Sequence, residues 1–260
     1  MDVAGRNVVV TGGASGIGRA LARAFAAARA SRVVVADLDA DAAREVAGEL
    51  GGLGLGVDVA AAEQVEELVA RVEREVGPID LFCSNAGVFL PGGPELADAE
   101  WDRIWRVNVL AHVFAARALV PRMLGRGGGA LLHTASAAGL LTQIGSAPYA
   151  VTKHAAVAFA EWLAITYGER GLRVFLLCPQ AVRTRMTEGI EGGGVAGVDG
   201  MLEPEEVAAV ALEGIAADRF LILPHESVAE YEQRRAADRE RWLRGMQRLQ
   251  RRFGPTGTGA

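Results

Sequence analysis

The first 180 residues alternate short apolar runs rich in β-branched residues with longer stretches in which Ala, Leu and Val recur at helical spacing among Glu and Arg. The short runs predict strands over 7–11, 32–37, 53–58, 79–84, 130–136 and 172–178; the longer stretches predict helices near 16–29, 39–50, 61–76, 99–125 and 147–170. Near-continuous apolar strands separated by helices imply a parallel sheet covered on both faces, because each crossover helix packs back over the sheet. Over 179–201 the pattern loosens, with glycines at 192, 193, 194, 197 and 200. A loop of that length after a strand's carboxyl end predicts a lid over a binding crevice, against the alternative of a flexible linker. Pro204 suits the first turn of a further helix, and 220–223 reads as a short seventh strand. In the Arg- and Glu-rich stretch 227–253, expected to form one carboxyl-terminal helix, Trp242, Met246, Leu249 and Phe253 fall on one face through steps of four, three and four. That face has two destinations, the body of the same chain or a second subunit. The expected architecture is one α/β, doubly wound domain over 1–253, followed by a flexible tail over 254–260.

Composition adds exclusions. A hydrophobic share of 50% rules out disorder as a description of the whole chain. No apolar run reaches the ~18 residues of a membrane span, and residues 1–6 lack the basic-then-apolar layout of a signal peptide, so a soluble, cytoplasmic protein with no membrane partner is expected. A net charge of −5 makes no electrostatic case for nucleic acid. Two cysteines, Cys83 and Cys178, form no disulfide framework, and four scattered histidines offer no ligand spacing, so no metal is expected. Among the 27 basic residues a single one, Lys153, is lysine.

Two local patterns carry chemistry. The first strand runs into TGGASGIG, with Gly12, Ser15, Gly16, Ile17 and Gly18 leading into a helix. Such a turn lets the backbone approach a pyrophosphate, whose charge then faces the unpaired amides and positive dipole end of the helix; alone, it could equally be a tight connection. Asp37 closes the second strand 19 positions beyond Gly18, followed by Leu38. A carboxylate there accepts both ribose hydroxyls of an adenosine and repels a 2′-phosphate, which selects NAD over NADP; its competing role is as a helix N-cap, shared with Asp39.

Tyr149 and Lys153 fall at i and i+4 on one helical face. A free phenol, with a pKa near ~10, is a poor base at neutral pH, and an ammonium about 4 Å away at an effective dielectric near 20 would favour its phenolate by up to about 4 kcal/mol. Ser136, thirteen residues before Tyr149, would present its hydroxyl at a strand's carboxyl end, as a donor to a substrate oxygen gaining negative charge. Without Tyr149 and Lys153 it reads as a turn residue. Asn108, between Val107 and Val109, reads by itself as an ordinary helical polar residue.

Taken together, TGGASGIG, Asn85-Ala86-Gly87, Asn108, Ser136 and the YAVTK stretch from Tyr149 to Lys153 closely resemble the short-chain dehydrogenase/reductase family, over about residues 5–223. The resemblance implies a Rossmann-like domain with seven parallel strands, in which Tyr149 transfers the proton and Ser136 orients the carbonyl or alcohol. Lys153 would lower the tyrosine's pKa and bind the nicotinamide ribose, and Asn108 would help hold a water in a proton relay. It places Asp58 and Val59 at the adenine, Asn85 and Gly87 beside the cofactor, and Val182 and Thr184 near the carboxamide. It also implies a homodimer or homotetramer, and a strand between those bearing Cys83 and Cys178, which forbids their pairing. Two departures stand out: Ser84 replaces the first Asn of the usual Asn-Asn-Ala-Gly run, and Gln180 replaces the glycine that usually follows Pro179.

The expectation is an NAD-dependent oxidoreductase interconverting a secondary alcohol and a ketone by hydride transfer. The alternative, a non-catalytic dinucleotide sensor or scaffold of the same fold, would not need the Ser/Tyr/Lys set. Sugar-nucleotide epimerases need a larger carboxyl-terminal domain, and enoyl reductases space Tyr and Lys more widely. Phe89, Gln143 and Gln180 are the candidate substrate contacts, in a lining of 89–91, 139–144 and 180–201 that is mostly apolar. An apolar or aromatic alcohol fits it, while Arg183 and Arg185 keep an acidic substrate open.

Overall fold

The seven strands are β1 (Asn7–Thr11), β2 (Arg32–Asp37), β3 (Leu53–Gly56), β4 (Leu81–Ser84), β5 (Gly129–Thr134), β6 (Leu172–Leu177) and β7 (Leu221–Ile222). In the computed structural model, which describes residues 1–253, they form one parallel sheet ordered β3-β2-β1-β4-β5-β6-β7. Successive side chains of a strand point to opposite faces, so each strand feeds two cores. Val9, Val34, Phe82, Leu131 and Val174 pack beneath α3 (Ala62–Glu75), α5 (Ala111–Gly125) and α6 (Ala147–Tyr167), all labelled in chain order. Val8, Val10, Val35, Leu132 and Phe175 pack beneath α1 (Gly16–Ala27), α2 (Ala40–Glu49) and α7 (Pro204–Ala216). The chain winds outward from β1 in one direction and from β4 in the other. Between their carboxyl ends lies the crevice where open sheets of this kind bind ligands.

Several expectations change in detail. β3 stops at Gly56, so Asp58 and Val59 sit in the loop beyond it. Ser136 lies two residues past the end of β5. The stretch expected as one helix over 99–125 is α4 (Asp98–Trp105), a π-helical turn (Arg106–Leu110) and α5. At that turn the Ala111 amide reaches back to the Arg106 carbonyl, an i→i+5 bond that admits an extra residue and leaves Asn108 fully buried. An 18-residue window of this composite helix has mean hydropathy 1.3, and 61% of it is buried, which is the signature of a core helix.

The carboxyl-terminal stretch is two helices, α8 (Ser227–Ala237) and α9 (Arg239–Phe253). They break at Asp238, whose backbone is extended (φ −148, ψ 93) and whose carboxylate accepts from the Arg241 amide at 2.8 Å. The Arg- and Glu-rich composition runs through the break unchanged, but the carboxylate offers the backbone a cap in place of a further helical turn. The expected tail over 254–260 lies outside the described residues.

The segment after β6 is laced down at both ends. Ala181 N–H donates to the Ala196 carbonyl at 3.2 Å, Leu202 N–H to Ala181 at 3.1 Å, and Arg183 N–H to Leu202 at 2.9 Å. Further along, the Ser227 and Tyr231 hydroxyls donate to the Asp199 carboxylate at 2.8 and 2.9 Å. Burial alone would raise the Asp199 pKa, but the hydrogen bonds from Ser227 and Tyr231 hold it below its ordinary value. Cys83 and Cys178 are free and buried, with β5 between their strands.

Candidate active site

The glycine turn is built by exclusion. Gly12 has φ +62, and a Cβ there would lie 2.9 Å from the Ala86 Cα; one on Gly18 would lie 2.0 Å from the Gly12 carbonyl oxygen. Only glycine lets α1 start this close to β1. The Thr11 hydroxyl donates to the Cys83 carbonyl at 3.2 Å and accepts from the Asn85 amide at 3.0 Å, while Asn85 Nδ2 donates to the Thr11 carbonyl at 3.1 Å. Asn85 thereby ties the turn to the end of β4. At the start of α1, Ser15 makes no side-chain cap and the first turn carries no acid, so the leading amides face the crevice without a protein acceptor on a side chain. An open helix start above a cradle that a Cβ would fill fits a pyrophosphate.

Asp37 and Asp39 now separate. Asp39 caps α2, accepting from the Ala42 amide at 3.1 Å. Asp37 instead accepts from the Ala14 amide at 3.0 Å and from the Asp39 amide at 3.2 Å, which fixes a half-buried carboxylate beside the glycine turn, next to Leu38 at 77% exposure. Asp58 accepts from Ala60 N–H at 2.9 Å and donates its own amide to Gln64 Oε1. Val59 packs at the edge of the core above α3. Across the crevice, the Thr184 Cγ2 stands 3.0 Å from where a Cβ on Gly16 would be, and Val182 is buried behind it.

Tyr149 and Lys153 emerge from the first two turns of α6. Ser146 caps this helix, accepting from Tyr149 N–H at 3.2 Å, and Pro148 sets its first turn. Both side chains are buried, and the Lys153 ammonium lies 5.6 Å from the centre of the Tyr149 ring, donating to the Thr134 carbonyl at 3.0 Å. A Cβ on Gly87 would meet both Lys153 Nζ and Asn108 Oδ1 at 3.4 Å, so these three residues converge. Asn108 accepts from Val88 N–H at 2.9 Å and donates to the Val88 carbonyl at 2.9 Å and to the Thr152 hydroxyl at 3.2 Å. The polar capacity of its amide thus goes into holding the strand exit against α6. Ser136 accepts from Ala138 N–H at 3.1 Å and faces the Pro179 carbonyl at 3.3 Å.

The electrostatics differ from the expectation. Burial raises the Tyr149 pKa above its ordinary value, with the neighbouring Ser136 hydroxyl pulling the other way. Burial likewise drives Lys153 down to about 8. An ammonium in well-solvated surroundings about 4 Å away would favour the phenolate. Here the amine is bonded to the Thr134 carbonyl and has itself lost water, so desolvation of the phenolate dominates.

An open chamber of about 950 Å³ adjoins the start of α6, lined by Ser146 and Ala150 but not by Ser136, Tyr149 or Lys153 themselves, and it reaches Tyr149 through Phe89. Phe89, whose ring meets Tyr149 edge-on with centroids 5.2 Å apart, and Gln143 line it. Gln180 does not: its backbone N–H donates to His225 Nδ1 at 3.2 Å, and its side chain lies towards Asp199. Arg183 pairs with Glu203 at 2.7 Å, and neither it nor Arg185 lines the chamber. The sequence reading missed Gln250 and Phe253, which close the chamber from α9. The stripe through Phe253 was the available signal, but periodicity carries no information about which surface a face meets.

Residues 6–192 match the family model described as short chain dehydrogenase. The chain is 42% identical over 231 residues to 1-deoxy-11-beta-hydroxypentalenate dehydrogenase of Streptomyces exfoliatus, covering 85% of this chain and 84% of that one. It is 33% identical over 228 residues to 3beta-hydroxysteroid dehydrogenase 2 of Eggerthella lenta, covering 80% and 87%. Among solved structures, a short-chain dehydrogenase/reductase from Burkholderia phymatum in complex with NAD superposes with a TM-score of 0.83 at 28% identity, covering 92% of this chain and 96% of that one.

Proposed function

The chain belongs to the short-chain dehydrogenase family, and from that premise we propose an NAD-dependent oxidoreductase that interconverts a secondary alcohol and its ketone, with Tyr149 as the general acid and base. The observation that carries the proposal is the convergence of Ser136, whose hydroxyl neighbours the Tyr149 phenol, with Tyr149 and Lys153 at the crevice. Nicotinamide, when bound, supplies or takes up the hydride. Residues 12–18 would hold the pyrophosphate, and the fixed carboxylate of Asp37 supports NAD over its 2′-phosphorylated form, because the phosphate would meet a like charge.

Ketone reduction needs a phenol that keeps its proton until the carbonyl oxygen becomes basic, and burial keeps Tyr149 in that form. Ser136 would hold the same oxygen by hydrogen bond as charge grows on it. Lys153, with N–H bonds beyond the one spent on Thr134, would bind a ribose hydroxyl and stabilise the phenolate once formed. Asn108 acts through Val88 and Thr152, fixing the floor on which Lys153 and Gly87 meet. The reading extends to a homodimer or homotetramer, supported by apolar side chains that α6 leaves in solvent, Trp162 at 53% and Ile165 at 83% exposure.

A 340 nm screen of alcohols with NAD and ketones with NADH tests the proposal. Turnover by the wild type and a loss of at least about a hundredfold in Tyr149→Phe are expected. Comparable turnover by both would refute the role given to Tyr149.

A further inference from the structure

We infer that α9 is the closing wall of the substrate chamber and that Phe253, with Gln250 at its rim, selects bulky, uncharged cyclic alcohols and ketones. The inference takes its reaction from the proposal above, but its binding claim stands apart from it.

The walls of the chamber come from four separate segments: Phe89 and Leu96 after β4, Ile144 before α6, Ile190 in the loop after β6, and Gln250 and Phe253 in α9. Its volume of about 950 Å³ stands at the upper end of the roughly 300–1,000 Å³ typical of sites for drug-sized ligands. Among the described residues, no lysine or arginine lines it. Its one ionisable lining side chain, Glu95, already accepts from the Gly93 amide at 2.7 Å. A carboxylate or phosphate would find no counter-charge there, and a small polar alcohol would leave most of the space to water beside apolar walls. An apolar ring system displaces that water, which is the favourable term available.

α9 is placed to do this. Its start is fixed by the Asp238 cap and by Trp242, which packs against the core above α6. Further along, the helix touches the glycine-rich segment Glu191–Gly197, so it closes the chamber together with the loop. Leu243 stands 51% exposed, away from the chamber lining, and serves as a control on the same helix.

The test is isothermal titration of the full chain with the bicyclic ketone decalone and with butanone, for the wild type and for Phe253→Ala, Phe253→Leu and Leu243→Ala. Phe253→Ala should weaken decalone binding about tenfold and leave butanone unchanged, with Phe253→Leu restoring most of the loss and Leu243→Ala staying within about twofold. Unchanged decalone affinity in Phe253→Ala, equal losses for both ketones, or no decalone binding by the wild type would overturn the inference. Phe253-dependent binding of decalone with no NADH consumed on any ketone would leave the wall standing and remove the reaction assigned above.

Discussion

The turn between β1 and α1 and the segment beyond β6 touch across the crevice, where Thr184 meets Gly16, yet they are built on opposite principles. The turn is specified by backbone: glycines exclude side chains, amides are left open, and Asp37 is pinned by two N–H donors. The segment closes on itself by backbone bonds but is held in place by side chains from distant parts of the chain, with Ser227 and Tyr231 holding Asp199 and α9 supplying Phe253. A backbone-built site recognises what every member of a reaction class shares, while a site assembled from loops and a terminal helix can change its ligand without disturbing the sheet.

Breaking the first region should cost most. Gly18→Ala puts a Cβ 2.0 Å from a backbone oxygen that cannot swing away, and the displaced turn should weaken NAD binding by at least about a hundredfold in calorimetry. Affinity within a few-fold of the wild type would show that the turn is not constrained as described. Asp37→Ala leaves the turn's shape intact and removes one charge. Its expected effect is a gain of about tenfold or more in kcat/KM for NADP relative to NAD, and an unaltered ratio would mean the carboxylate does not read the ribose.

The smallest effect concerns a histidine pair buried between β5 and α5. His133 on β5 and His112 on α5 meet Nδ1 to Nδ1 at 2.9 Å, and both Nε2 atoms are buried without a protein partner. Burial holds His133 down from its ordinary 6.5 to about 4, so between those values the unfolded chain binds a proton that the folded chain refuses. Stability is therefore fully present above pH 6.5 and declines as pH falls towards about 4. Urea midpoints measured across that window should fall, and His133→Asn should flatten the decline; identical slopes would assign the acid sensitivity to other groups.

The contrast also explains what could be read in advance. The strands are legible because they are buried on both faces and so carry near-continuous apolar runs, and the glycine turn because its constraint is local. Tyr149 and Lys153 are legible because i and i+4 share a helical face. Asn108 is not, since the π-helical turn that buries it leaves no mark in apolar spacing. The break at Asp238 hides because the Arg- and Glu-rich composition continues across it and a single capping carboxylate decides it. Gln180 stands where its neighbours in sequence point to the site, but its side chain lies towards Asp199 while its backbone N–H donates to His225, 45 residues later. The expected acidity of Tyr149 failed because spacing gives proximity and says nothing of how much water the two groups lose.

Hydride transfer from carbon, governed by the Tyr149 proton, leaves an isotopic trace. Decalol carrying deuterium at its carbinol carbon should yield NADH that contains the deuterium when incubated with the wild type and NAD, and yield almost none with Tyr149→Phe. NADH formed without the label, or labelled equally by both proteins, would contradict it.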